Sequence, residues 1–245
     1  MIIEYPIRLQ SYLAKCGVGS RRSCEGLITS GRVMVNNKIV TQLGTRVDEN
    51  DVVYVDDVLA EPSEKYYYFM LNKPKGFVCS NYDPNNKDYA RDLIDVAERN
   101  LLFNVGRLDK DSQGLILFTN DGDFANQVMH PSSRIEKEYI VRVDHEIAKK
   151  DMDDAYRGLI RPYQIKAYQI RSKTEVSVTL TEGKNREIRN LFDALGYNVK
   201  KLTRVRVGDL RLGELPTGQY RKLTKAEVNS LRNLAKQGEK NDSRN

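Results

Sequence analysis

The chain has 245 residues, 40% hydrophobic and 30% charged, so a sizeable core and one or two domains are expected and a disulfide-stapled miniprotein is excluded. Lys and Arg exceed Asp and Glu by 40 to 34, a net charge of +6, and no apolar run approaches the ~18 residues of a membrane span. The opening MIIEYPIRLQ lacks the basic, apolar and small-residue segments of a secretory leader, which points to a cytoplasmic protein with no membrane partner.

The three cysteines, Cys16, Cys24 and Cys79, form no Cys-x-x-Cys pair, which favours reduced thiols over a disulfide framework or a thiolate zinc site. The basic surplus is concentrated. From Arg8 to Arg46 seven Lys and Arg face one acid, Glu25, and from Lys184 to Lys225 eleven face four acids. The rest of the chain is therefore acidic. Two separated basic regions suggest a polyanion partner, with nucleic acid the leading candidate.

In chain order, Leu9, Leu13 and Cys16 recur at helical spacing, and a second helix is predicted from Ser20 as N-cap through Cys24, Leu27 and Ile28 to Gly31. Val33 and Val35 alternate with polar residues, Asn36-Asn37 suits a tight turn, and Ile39 begins a returning strand. Arg21 and Arg22 fall in the first turn of the second helix, where cations oppose the helix dipole unless an anion binds them. A solvated pair is the plain reading and a phosphate contact the sharper one. Polar DDVLAEPSE, with Pro62, marks the end of a first domain near Ser63.

Beyond that boundary, residues 66–71 are predicted as a strand, 72–76 as a loop and 77–79 as another short strand. Tyr66 to Tyr68 suit sheet packing. Leu115 to Phe118 is a continuous apolar run, expected at the centre of a sheet. Residues 138–143 and 176–180 alternate as strands, while Ile188, Leu191, Phe192 and Leu195 form a helical stripe ending at Gly196. Val205 and Val207 alternate with Arg204 and Arg206, a pattern that buries one face and offers cations on the other. The polar tail from Gly238 is expected to fray.

The sharpest local feature is the polar loop from Gly106 to Gly114, GRLDKDSQG, set directly before the buried strand. Loops held by a rigid core commonly carry catalytic groups. Asp109-x-Asp111 imitates the start of a calcium loop, but the twelfth position is Asn120 where a bidentate Glu belongs. A calcium site is not expected. The two histidines, His130 and His145, have no metal-ligand spacing. Signatures of nucleotide hydrolysis, dinucleotide binding and serine hydrolases are also missing.

Five collinear motifs carry a family resemblance: IRLQSYLAKCGVGSRRSCEGLITSGRVMVN from Ile7, LNKPKG from Leu71, GRLDKDSQGLILFTNDG from Gly106, MHPSSRIEKEYIV from Met129 and EGKNREIRNLF from Glu182. The first resembles an S4 RNA-binding domain, and the others resemble ribosomal-RNA pseudouridine synthases of the RsuA type. The resemblance spans nearly the whole chain. It implies an α+β fold: a small S4 domain and linker over residues 1–63, then a catalytic domain over 64–237 with a mixed, largely antiparallel sheet flanked by helices. Residues 238–245 would form the tail.

The same resemblance implies isomerisation of uridine to pseudouridine without cofactor or metal. It maps the catalytic carboxylate onto Asp109, the base-stacking tyrosine onto Tyr139, and the basic partner of the carboxylate onto Arg189. Arg107 is implied to hold the flipped nucleotide. Asn185 and Arg186 stand where other such enzymes often have a His-Gln pair, so no base-reading role is carried over to them. Arg8, Lys15, Arg21, Arg22, Arg186, Arg204 and Arg206 are the expected RNA contacts. The partner would be ribosomal RNA or a ribosomal assembly intermediate, with 23S favoured over 16S, and the working form a monomer. A non-catalytic S4-domain RNA-binding or ribosome-assembly protein is the alternative; it is disfavoured by the presence of Asp109, Tyr139 and Arg189 together.

Overall fold

In a computed structural model of the protein, residues 3–63, 65–80 and 88–242 are described. Contacts divide the chain into two compact units: Met1–Tyr67 with Asp95–Phe103 and Thr119–Asp121, and Tyr68–Ile94 with Asn104–Phe118 and Gly122–Asn245. No helix among the described residues is long and apolar enough to cross a membrane.

In the first unit, β1 (Ile7–Arg8) leads into α1 (Leu9–Lys15) and α2 (Arg21–Thr29). Ser20 caps α2 as its spacing predicts, its hydroxyl accepting the Ser23 N–H at 3.1 Å. Then come β2 (Val33–Val35), β3 (Lys38–Ile39), β4 (Arg46–Val47), β5 (Val53–Val55) and β6 (Val58–Leu59). Asn36 and Asn37 make the β2–β3 turn with φ of 51° and 63°, values that asparagine tolerates. One face of the sheet β3-β2-β5-β6 closes on the helices, so Leu9, Leu13, Cys24, Ile28, Val33 and Val53 form a common core. Arg8, Arg21 and Arg22 are left exposed and Lys15 half-buried.

The second unit is built on β7 (Tyr68–Lys73), β8 (Phe103–Val105), β9 (Gln113–Thr119), β10 (Lys137–Val143), β11 (Ala167–Ser172), β12 (Glu175–Leu180), β13 (Val199–Val207), β14 (Leu210–Arg211) and β15 (Tyr220–Lys222). The main path of its sheet is β11-β12-β10-β13-β9-β7-β15, with β14 on β13 and β8 on β9. Pairing is antiparallel around β10, and β13 meets β9 in parallel. The expected mixed, largely antiparallel sheet is present. The helices are α3 (Gly122–Met129), α4 (Lys149–Tyr156), α5 (Glu187–Ala194) and α6 (Lys225–Asp242).

Three local expectations are corrected. Asn72 and Lys73, read as loop, are the buried end of β7: the Asn72 N–H donates to the Gln219 carbonyl at 3.0 Å and the Asn72 carbonyl accepts the Gly218 N–H at 2.8 Å, while the Lys73 ammonium donates to the Ser112 carbonyl at 2.8 Å. Residues 77–79 form no strand, only a single bridge from Val78 to Tyr89, so most of their backbone finds no ladder partner. The helix α6 continues through Gly238 to Asp242, where fraying was expected; residues 243–245 of that tail lie outside the described residues. Gly238 is the reason. A Cβ there would stand 1.9 Å from the Ser133 carbonyl oxygen, so glycine lets the helix lie directly on the 131–133 turn.

The register between β10 and β13 breaks at one place. Glu138 pairs with Arg206 and Tyr139 with Arg204, leaving Val205 as the extra residue of a bulge. Simple alternation would put Arg204 and Arg206 on one face. The bulge puts them on opposite faces, Arg206 with Glu138 and Arg204 with Tyr139.

Next to this bulge β9 comes close to β13 at Gly114, whose φ is +107°. A Cβ at Gly114 would sit 2.2 Å from the Arg204 carbonyl oxygen and 2.8 Å from its nitrogen. Gly114→Ala is therefore expected to cost about 3 kcal/mol, combining a strained backbone with an overpacked strand pair. Urea unfolding of the two proteins side by side measures it.

Candidate active site

The loop from Gly106 to Ser112 enters from β8 and leaves into β9, and its main chain is tied down almost continuously. The Gly106 N–H donates to the Met129 sulfur, the Leu108 N–H to Cys79 Sγ, and the Lys110 carbonyl accepts the Gly76 N–H at 2.7 Å. Two buried cations hold its ends. Arg204 donates through Nε to the Leu115 carbonyl at 2.7 Å and through Nη1 to the Arg107 carbonyl at 3.4 Å. Lys73 donates to the Ser112 carbonyl, and burial lowers its ammonium pKa, with Cys79, Asp111 and Asp109 pulling it back up.

Asp109 projects from this rigid loop with about a third of its side chain exposed. Arg186 Nη1 stands 3.6 Å from Asp109 Oδ2 and 3.5 Å from Asp111 Oδ1. Arg189, expected as the partner of Asp109, instead reaches Asp111 Oδ2 at 3.1 Å and the carbonyls of Asp111 and Val199 at 3.2 Å each. The reason is helical geometry. Arg189 lies in the first turn of α5 and is pinned from two sides, whereas Arg186, the N-cap residue with φ of 50°, leans over the loop.

Beside the loop opens a cleft of about 870 Å³ whose lining includes Arg107, Asp109, Ser112, Lys137, Tyr139, Arg186 and Arg204. A smaller recess of about 550 Å³, lined by Lys75, Gly76, Lys110 and Asp111 with Asp109 and Arg186, adjoins it. Arg107 is exposed and Tyr139 is 8% exposed. Thus Asp109, Tyr139, Arg107 and Arg186 come together at one cleft, while Arg189 supports it from behind.

The RNA-facing roles expected of Arg204 and Arg206 are corrected. Arg204 is 4% exposed, committed to main-chain carbonyls. Arg206 is consumed by Glu138 at 3.0 Å and Glu136 at 3.1 Å, on the opposite face of the sheet. Both guanidiniums are held by acceptors of the chain itself, so neither is offered to solvent in the way strand alternation suggested.

Lys73, Ser112 and Lys137 also stand at the site, though none was expected there from the sequence. The Ser112 hydroxyl is buried without a hydrogen-bond partner among the described residues, although the residue lines the cleft. Lys137 sits two residues before Tyr139 on β10 and therefore on the same face, a spacing legible in EKEY. Burial, reinforced by Arg204 and opposed by Glu187, lowers Lys137 to about 8. Burial also pushes the Glu187 carboxyl up, while its Oε2 accepts the Lys184 N–H at 2.9 Å. Among the described residues no cluster of His, Cys, Asp and Glu is placed to hold a metal ion.

Residues 67–194 match the family model described as RNA pseudouridylate synthase, and residues 7–53 match the S4 domain model. The chain belongs to the RNA pseudouridine synthase family. It is 38% identical over 241 residues to the ribosomal large subunit pseudouridine synthase B of Bacillus subtilis, covering 94% of this chain and 98% of the relative. It is 37% identical to the protein of the same name from Vibrio cholerae, over 93% of this chain and 74% of the relative. A crystal structure of a pseudouridylate synthase superposes with a TM-score of 0.67 at 30% identity, over 92% of this chain and 99% of that one. This pseudouridine synthase therefore carries an S4 domain ahead of its catalytic region.

The lysine in the cleft has a measurable signature in stability. Its pKa is about 8 in the folded protein against ~10.4 in the unfolded chain, so folding disfavours the charged form. The penalty is complete below pH 8 and disappears above about pH 10.4. Lys137→Met is accordingly expected to melt at or above the wild-type temperature at pH 7, and the advantage should vanish as pH rises through that window. Thermal scans across pH test it.

Proposed function

We propose that this enzyme converts a specific uridine of ribosomal RNA to pseudouridine, 23S in preference to 16S, working as a cytoplasmic monomer. The large-subunit relatives support the substrate class, and one observation carries the site: a single cleft is lined by Asp109, Tyr139 and Arg107 with Arg186 reaching over the carboxylate.

The reaction breaks C1′–N1, turns the freed uracil and rejoins it through C5, so every atom of the substrate is kept. A glycosidase normally needs two carboxylates, one to protonate the leaving group and one to attack or activate water. Here water must stay out. One ionised carboxylate is enough, and Asp109 acts on the ribose, at C1′ or at the C2′ proton. Arg186 and the tethered loop orient that carboxylate before substrate arrives. Tyr139 stacks on the extruded base, and Arg107 with the adjoining Lys75 and Lys110 meets the backbone phosphates.

Extruding a base costs a few kcal/mol in a duplex, less in a loop, and phosphate contacts offset that cost. Arg8, Arg21 and Arg22 extend those contacts through the S4 domain. No acidic residue occupies the first turn of α2, so an RNA phosphate there relieves the opposition between the two arginines and the helix dipole.

The decisive assay is tritium release from [5-³H]uridine in 23S and 16S RNA fragments. Wild type is expected to release tritium from 23S RNA, and Asp109→Asn to be slower by about 10³-fold with its RNA affinity retained. Equal rates for the two proteins would remove Asp109 from the chemistry. Substituting Arg21 and Arg22 together by Glu is expected to weaken RNA binding and flatten the slope of log affinity against log salt by about 2. An unchanged titration would detach those arginines from RNA.

A further inference from the structure

Pseudouridine formation has a proton to relocate. When C1′–N1 breaks, its electron pair leaves with N1 and the uracil carries negative charge. When C5 bonds to C1′, the hydrogen already on C5 must depart, and the product bears one on N1. A group that gives a proton at N1 and accepts one from C5 completes this exchange without changing its own state.

Asp109 is engaged at the ribose and is an acceptor only when ionised. The cations around the cleft are mostly spoken for. Arg186 faces Asp109 and Asp111, Lys184 pairs with Glu182 at 2.8 Å, and Arg204 is held by carbonyls. Lys137 differs. Its single hydrogen bond among the described residues is a 3.3 Å contact to the Ile135 carbonyl, and no carboxylate there lies within ion-pair distance of it.

Its position is also set by the strand. Lys137 and Tyr139 point to the same side of β10, about 7 Å apart along the strand, a separation that a four-carbon side chain spans. A uracil lying flat on the Tyr139 ring presents its edge to the lysine. N1 and C5 are both bonded to C6, so one nitrogen at that edge reaches either atom.

Building on the pseudouridine synthase reading above, we propose that Lys137 is the proton carrier of the isomerisation: its ammonium donates to N1 of the cleaved uracil, and the resulting amine accepts the proton released from C5. The lysine begins and ends protonated, no proton is gained or lost overall, and no co-reactant is needed. Before donating, the ammonium also stabilises the departing uracil anion, as a preorganised charge in a half-buried site. Its lowered basicity in the folded protein suits a group that must both give and take a proton near neutrality.

The test uses the full chain on RNA that wild type turns over, with either ¹H or ²H at C5 of the target uridine. Turnover by wild type carries the reading of the enzyme; the lysine is judged separately on the same RNA. Lys137→Ala is expected to slow single turnover by about 10² to 10³-fold, to reveal a primary deuterium effect at C5, and to regain rate in proportion to added methylamine. Lys137→Arg keeps the charge and the RNA affinity, but its guanidinium does not release a proton, so it should stay slow and show the same isotope effect. A Lys137→Arg enzyme as fast as wild type, or a folded Lys137→Ala enzyme with neither isotope effect nor amine rescue, overturns the assignment. If Lys137→Ala fails to fold, the arginine variant decides alone.

Discussion

The buried guanidinium of Arg204 is the constraint on which the rest of the site depends. Burying a charge is tolerable only when its donors are satisfied, and here the acceptors are main-chain carbonyls of Leu115 and Arg107. Those two residues bracket the polar loop. One side chain from β13 therefore fastens both the neighbouring strand β9 and the start of the segment that carries Asp109. The close passage at Gly114 makes this geometry accessible, because any side chain there would push β9 away from Arg204. Lys73 repeats the device from the other side, its ammonium held by the Ser112 carbonyl.

What those two cations accomplish is a fixed loop. A carboxylate on a free loop loses conformational entropy whenever it is ordered. Asp109 instead stands on backbone that is already fixed, with Arg186 overhead. The arginine that the family pattern nominated, Arg189, supports Asp111 and so acts on the frame of the loop. Arg186 meets both carboxylates of the loop, and Arg189 only that of Asp111.

The cleft also holds groups whose hydrogen-bonding capacity the folded chain leaves unused. Ser112 has an orphaned hydroxyl, and Lys137 a weak carbonyl contact. Such groups lower stability, since burial without a partner is unfavourable. They are tolerated where a ligand completes them. On the opposite face of the sheet, by contrast, Arg206 pairs with both Glu136 and Glu138.

Local patterning determined a good deal by itself. Helical spacing and the Ser20 cap located both N-terminal helices, asparagines located the hairpin turn, and an apolar run located an interior strand, because each depends on neighbours within a few residues. The five collinear motifs indicated the family and the loop that bears Asp109. Long-range contacts decided the rest. The bulge at Val205 split Arg204 from Arg206, the absence of a side chain at Gly238 let the last helix lie on the 131–133 turn, and main-chain pairing with residues 218 and 219 drew Asn72 into a strand. Which arginine meets Asp109 was also a tertiary outcome, since Arg186 and Arg189 are one helical turn apart and chemically alike. Alternation and motif spacing describe a residue's neighbours along the chain; burial, register and pairing depend on segments that are remote in sequence.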